Sequence, residues 1–332
     1  MGCHRSGTNL LYDMLLSSGG FAIYRGYLPI YKMLIPLFGS MDKRANREKI
    51  VAMWLRSKGF RRTGLGADDL SARLLDECRT GGDFIRVVMD SVAKSQNLQR
   101  WAVYDPDNVL YVQRVKRDIP NALFVHIIRD GRDIALSLKK MGGFTPLAWD
   151  RKQTNSLVAT ALYWRWMVRR GHANGRKFPA DYIEVRYEDL ILSRRETLAR
   201  LSAFLDHDLD YDRIQRAGLG RLSETNSSFR EEGSEATKNP LGRWKERLTH
   251  AEVAAIEATV GDCLEENGYQ LSLPANERRR TLRQVSMRAI YPVFLGGKLW
   301  MKLHTPLGRL ATTTTLELDK EEPVPEPESV QS

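Results

Sequence analysis

Seven residues, Ala122–Ile128 (ALFVHII), apolar but for His126, run directly into the polar segment Arg129–Ser137 (RDGRDIALS). An apolar run of this length, preceded by Pro120-Asn121 and closed by a charge, reads as a strand buried on both faces. Such strands lie in parallel sheets covered by helices on each side, so this run commits the chain to an α/β architecture. The polar segment then falls at the carboxyl edge of the sheet, where open α/β folds bind ligands. Arg129 ends the strand and carries the fork of donors that grips a phosphate with two bonds. Ser137 comes two turns down the helix that follows. His126, inside the apolar run, reads as a core histidine.

Other segments alternate in the same way. Gly2–Gly7 is a glycine-bounded loop leading into a helix over Thr8–Ser18, with Leu10, Leu11, Met14 and Leu15 at helical spacing. Residues 43–99 read as helices broken near Gly59, Gly64–Gly66 and Gly81–Gly82. Trp101–Tyr104 reads as a short strand and Asn108–Asp118 as a helix stopped by Pro120. Helices are expected at Arg132–Met141, Ser156–His172, Arg194–Leu205 and Ala251–Asn267, with a further strand at Asp181–Val185. The fold expected for residues 1–275 is a three-layer α/β/α domain with a central parallel sheet, of the P-loop nucleotide-binding type.

Two segments follow it. Residues 276–311 form a basic and apolar extension. Within it, 278–304, a basic stretch from Arg278 followed by the apolar 290–304 (IYPVFLGGKLWMKLH), could make peripheral membrane contact, although Pro292 and Gly296–Gly297 argue against a long amphipathic helix and favour packing onto the domain. Residues 312–332, opening on four threonines and then rich in Pro and Glu, read as a disordered acidic tail.

The charge is uneven. The chain of 332 residues carries a net +10, but the tail holds six acids and one Lys, a balance of −5. The body therefore stands at +15, which calls for an anionic partner such as nucleic acid, a membrane surface or a phosphorylated small molecule. No nucleic-acid-reading module is present, so nucleic acid is not the expected partner. No run is long enough to cross a bilayer and no signal peptide opens the chain. Cys3, Cys78 and Cys263 are too scattered for a disulfide framework, and with the six histidines they form no metal spacing. The expectation is a cytoplasmic protein without a metal.

The front loop, GCHRSGTN, has glycines spaced as in the phosphate-cradling loop G-x-x-x-x-G-K-[ST], in which successive amides and the helix N-terminus hold an anion. Thr8 replaces the phosphate-reaching Lys, and Asn9 the metal-binding hydroxyl. Arg5 sits inside the loop instead. The loop suits an anionic group but lacks the equipment for a metal–triphosphate.

Arg5-Ser6-Gly7-Thr8-Asn9 resembles the [K/R]-S-G-T-T loop of sulfotransferases that use 3′-phosphoadenosine 5′-phosphosulfate (PAPS), in a pattern similar to bacterial and tyrosylprotein sulfotransferase-like members. Arg129 and Ser137 resemble the pair with which that family binds the 3′-phosphate. Val185–Ile191 (VRYEDLI), with Tyr187, looks like its segment near the adenine. Lys238–Thr249 (KNPLGRWKERLT) resembles its late loop over the 3′-phosphate, with Lys238, Gly242, Arg243, Trp244 and Lys245. The resemblance covers residues 2–267 in the family's order. It implies sulfuryl transfer from PAPS to a hydroxyl or amine of an unnamed acceptor.

There are departures. The family's first strand precedes the loop, whereas here the loop starts at Gly2, which suggests further sequence upstream. Tyrosylprotein sulfotransferases place a Glu shortly after the first helix, but Tyr24–Pro29 holds no carboxylate. Their Lys-Asp-Pro is Tyr104-Asp105-Pro106 here. The resemblance leaves Arg5 as stabiliser of the sulfuryl group, Asp105 then Asp107 as candidate bases, and Tyr104 as a hydrogen-bond donor to the transferring group. Asp105–Asn108 reads equally as a turn and helix cap. Acceptor specificity is expected in residues 24–100 and in the helix after Asn155. The rival readings are a catalytically weakened PAPS-type nucleotide binder and a P-loop phosphotransferase.

Overall fold

The computed structural model describes residues 1–141, 146–147, 156–217, 240–308, 312 and 316. The Ala122–Ile128 run forms β1 (Phe124–Ile128), which pairs in parallel with β2 (Tyr182–Arg186) in the register Phe124↔Tyr182 to Ile128↔Arg186. Along the other edge of β1, the Ile127 amide donates to the Met1 carbonyl at 2.9 Å, and Gly2 forms a parallel bridge with Ile127. The front loop thus leaves the sheet beside β1, at the carboxyl end of the strand.

Alternate residues of β1 point to opposite faces, as the period of two requires. Ile127 packs with Met14, Val185, Leu198 and Leu201, placing α1 (Thr8–Ser17) and α11 (Arg194–Leu205) on one face. Ile128 packs with Ile134, Leu138, Trp164 and Met167, placing α8 (Gly131–Lys140) and α9 (Leu157–Lys177) on the other. These are the three layers expected of the α/β domain. α14 (His250–Glu266) covers α9, and Thr249 and Glu252 close its start with a reciprocal capping box. His126 is fully buried against α9, with Glu184 at 3.3 Å, as a core histidine.

A second, helical core adjoins the sheet. It comprises α2 (Ile35–Phe38), α3 (Arg44–Leu55), α4 (Lys58–Arg61), α5 (Ala67–Glu77), α6 (Gly81–Ser95) and α7 (Val112–Asp118). Trp54, edge-on to both Phe60 and Phe84, anchors it. This is the region in which acceptor specificity is expected.

Three local expectations are corrected. Trp101–Tyr104 carries no strand: only Arg100 bridges Phe21, and Gln96 bonds both backbone groups of Ile23 with its side chain, taking the place of a ladder. Asn108–Asp118 is not one helix but a 3₁₀ turn (Pro106–Leu110) and then α7, broken at Tyr111 with φ −115°. The helical reading of 290–304 is revised most. One continuous helix, α15 (Leu282–His304), passes through Pro292 and both glycines, because Tyr291 and Leu295 are buried against the domain and tertiary packing outweighs the local cost. Between those helices the chain has α10 (Tyr187–Leu192), α12 (Tyr211–Ala217) and α13 (Trp244–Arg247). Within 312–332, Thr312 bonds the Gly308 carbonyl and Leu316 packs on the helical core; the rest of the acidic tail lies outside the described residues.

Candidate functional site

The loop Gly2–Gly7 turns sharply from the sheet edge into α1. Gly7, the N-cap, has φ 96°, and a Cβ there would lie 2.3 Å from the Tyr187 ring, so both backbone and space demand glycine. No described side chain caps α1, which leaves the positive end of its dipole facing the loop. Arg5 also takes a left-handed conformation, with φ 73°. Ser6 is fully buried, and its hydroxyl has no hydrogen-bond partner among the described residues.

The corner after β1 is held from behind. Trp164 on α9 donates its indole N–H to the Arg129 carbonyl at 3.0 Å. Its ring lies so close to Gly131 that a Cβ there would sit 2.6 Å away. Asp130 caps α8 through the Arg132 amide, and Arg132 bonds both Asp130 and the buried Glu257. Tyr163 is likewise buried, so this part of α9 is a packed support.

On that support the expected binding residues converge. Arg5 Nε donates to Ser137 Oγ at 3.0 Å, and Arg129 reaches the Arg5 carbonyl at 3.4 Å. The Arg129 guanidinium lies 4.4 Å from the centre of the Tyr187 ring. Burial, and then the charge of Arg129, lower the Arg5 pKa to about 10. The two like charges disfavour each other in this corner. Arg129 Nε is buried without a hydrogen-bond partner among the described residues, although Asp133 meets the other end of its fork at 3.4 Å.

Asp133 also organises the late loop. Its carboxylate accepts the amides of Gly242 and Trp244, each at 3.0 Å, while Arg129 donates to the Pro240 carbonyl at 2.5 Å. Trp244 lies over the Arg132 guanidinium at 3.8 Å. Gly242, Arg243 and Trp244 are thereby brought over α8 beside Arg129. Lys238 lies outside the described residues. Thr8 and Asn9 open α1 next to this cluster. Asp133 was missed from sequence, where it reads as half of a surface ion pair.

A second group lies on the other side of the loop. Asp107 bonds His4 Nε2 at 3.1 Å and also pairs with Lys32, which sits in the helical turn Ile30–Leu34. Burial alone would raise the Asp107 pKa, but His4 and Lys32 outweigh it and hold this carboxyl well below the usual range. The same contact raises His4 against its own burial, and Lys32 likewise. Asp105 accepts the Asp107 amide at 2.9 Å and caps the 3₁₀ turn; burial, and then the charge of Asp107, raise its pKa. Tyr104 packs on Tyr12 with ring centres 4.7 Å apart. Tyr104 and Asp105 line a narrow cleft with Tyr24, Leu28, Ile85 and Asn108. Lys32 was missed as well; its signal is a lone cation in the apolar stretch IYKMLIPLF.

A family model described as "Sulfotransferase family" matches residues 1–211. A putative protein-tyrosine sulfotransferase of Caenorhabditis elegans is 29% identical over 120 residues, covering 36% of this chain and 45% of its own length. The match thus takes in less than half of that curated relative. Among solved structures, the sulfotransferase domain of the Synechococcus PCC 7002 olefin synthase is 16% identical with a TM-score of 0.46, covering 87% of this chain and 92% of its own. The sulfotransferase domain of the curacin biosynthetic pathway is also 16% identical, with a TM-score of 0.42 and coverages of 86% and 95%.

Proposed function

The chain belongs to the sulfotransferase family, and from that premise we propose that it transfers a sulfuryl group from PAPS to a hydroxyl or amine of an acceptor. The observation that carries this reading is the convergence of Arg5, Arg129, Ser137 and Tyr187 on the front loop. The residues present fit such a donor. Two guanidiniums share one buried corner, and the Ser6 hydroxyl and Arg129 Nε are buried without partners among the described residues. Arg129 and Ser137 would hold the 3′-phosphate. Arg5, Ser6, Gly7, Thr8 and Asn9 would hold the phosphosulfate, with Tyr187 beside the nucleotide. Gly242, Arg243 and Trp244 would close over it, joined by Lys238.

The donor supplies an activated sulfuryl group. In the transfer, its bond from sulfur to the 5′-phosphate oxygen breaks, a bond from sulfur to the acceptor oxygen or nitrogen forms, and adenosine 3′,5′-bisphosphate leaves. Arg5 neutralises charge on the departing side. The acceptor's proton must pass to a base. We assign it to His4, at Nδ1, with Asp107 holding Nε2 and stabilising the imidazolium that results. Asp105 accepts the Asp107 amide with Oδ1 and lines the cleft beside Tyr104, so Asp105, and after it Asp107, is the rival acceptor of that proton. Tyr104, in the cleft, would donate a hydrogen bond to the transferring group.

Calorimetry tests the nucleotide class. Adenosine 3′,5′-bisphosphate should bind and ATP with Mg²⁺ should not; the reverse result would favour a phosphotransferase. Turnover on a panel of phenols, alcohols and amines then separates an enzyme from a weakened nucleotide binder.

A further inference from the structure

α15 has two unlike faces. Inward, Tyr291 and Leu295 are buried against the domain, and Arg288 pairs with Asp262 at 2.8 Å. Outward, Leu282, Val285, Ala289, Val293 and Trp300 follow one another at spacings of three, four and seven, which places them on one side of a 3.6-residue helix. Leu282 is 88% exposed, Val293 69% and Trp300 60%. The helix runs for 23 residues, about 34 Å at 1.5 Å per residue. A contiguous apolar stripe of that length, left to solvent, marks an interaction surface.

The charge around it selects the occupant. Residues 278–304 contain seven Lys and Arg and no Asp or Glu; Arg288 is turned inward to Asp262 and Lys302 is half-buried, while Arg279, Arg280 and Arg283 are exposed at the start of the stripe. A second copy of the chain would bring two such segments together and oppose like charges. No described helix is long and apolar enough to cross a membrane. We propose that α15 lies flat on an anionic lipid surface, sinking its outward stripe to the headgroup–acyl boundary while the flanking basic residues meet lipid phosphates. An exposed Trp near the end of the stripe suits that depth, where an amphipathic ring is at home in the headgroup layer. The placement would present the domain to acceptors at the membrane.

Sedimentation of the full chain with lipid vesicles tests this. Vesicles with about a third phosphatidylserine should carry the protein down and pure phosphatidylcholine vesicles should not, because each basic residue at such a surface contributes about a fivefold gain in partitioning. Val293→Glu with Trp300→Glu should abolish sedimentation. Arg279→Gln with Lys298→Gln should weaken it about twentyfold or more, and raised salt should do the same. These positions are on the surface, so melting temperatures matching the parent's would show the fold intact. Absence of sedimentation with anionic vesicles, or sedimentation indifferent to both variants, would overturn the proposal. So would a dimer in solution that Val293→Glu splits, since the stripe would then face a second copy.

Discussion

Arg5 donates its Nε–H to the hydroxyl of Ser137 at 3.0 Å, joining the front loop to a helix 132 positions further along the chain. Sequence reasoning had set these two residues at opposite ends of the bound nucleotide, Ser137 with the 3′-phosphate and Arg5 with the sulfuryl group. The hydrogen bond puts them in one cluster with Arg129, whose guanidinium reaches the Arg5 carbonyl at 3.4 Å.

Removing Arg129 takes away a charged donor and frees the Pro240 carbonyl. Arg129→Ala should weaken adenosine 3′,5′-bisphosphate binding by about 1.5–3 kcal/mol, while an analogue without the 3′-phosphate should lose little. Titration calorimetry with both ligands checks this, and equal losses would move Arg129 away from that phosphate.

Gly7→Ala should be far more damaging than its size suggests. The backbone at φ 96° disfavours a side chain, and the new methyl would collide with Tyr187. Nucleotide binding should fall below detection while most of the melting transition survives. Adding Tyr187→Ala relieves the collision but not the backbone strain, so binding in the double variant should stay weak.

Asp133→Asn keeps the shape of the side chain but not its charge, and gives up one of two carboxylate acceptors. The amides of Gly242 and Trp244 then share a single oxygen, and the late loop loosens. Nucleotide affinity should drop roughly tenfold, about 1.4 kcal/mol at the scale of one charge-assisted hydrogen bond. Protease digestion should cut the segment around Pro240 faster than in the parent.

Asp107→Asn leaves Lys32 buried without its counter-charge, a loss of about 3–5 kcal/mol for one partner of a buried pair. Adding Lys32→Met removes the stranded cation, and denaturant unfolding should show much of the stability restored. If the double variant were no more stable than Asp107→Asn alone, the two side chains would not act as a pair.

His4→Gln should lower turnover by about 10²–10⁴ with nucleotide affinity nearly intact, whereas Asp105→Asn should cost far less if it serves only the turn. The pH dependence carries a sign. A base must be unprotonated, and the Asp107 carboxylate raises the His4 pKa above its ordinary 6.5. The rate should therefore climb with pH along a limb centred above 6.5 and flatten beyond it. In Asp107→Asn the raising charge is gone, so the limb should move to lower pH. A limb that stays in place would show that another group takes the proton.

The layers of the fold were legible because they follow from local pattern. The apolar run before Arg129 and the glycines around Arg5 each act within a few residues, and their chemistry does not depend on what lies across the molecule. The same holds for the placement of Arg129, Gly7 and Ser137, which a strand end, a tight loop and a helix start set locally. The short strand expected at Trp101–Tyr104 does not form: the pairing stops at the Phe21–Arg100 bridge, and the backbone groups of Ile23 bond the Gln96 side chain.

What only the tertiary structure decided is who meets whom. Lys32 and His4 both come to Asp107, from 75 positions before it in one case and 103 in the other, and no periodicity announces that meeting. The continuity of α15 through Pro292 was also beyond local reading, because burial of Tyr291 and Leu295 outweighs the helix-breaking preference of one residue. Sequence alone determines backbone propensity and the local chemistry of the front loop. The pairing of His4 and Lys32 with Asp107 and the exposed stripe on α15 arise from long-range packing, in which distant side chains enter one low-dielectric space.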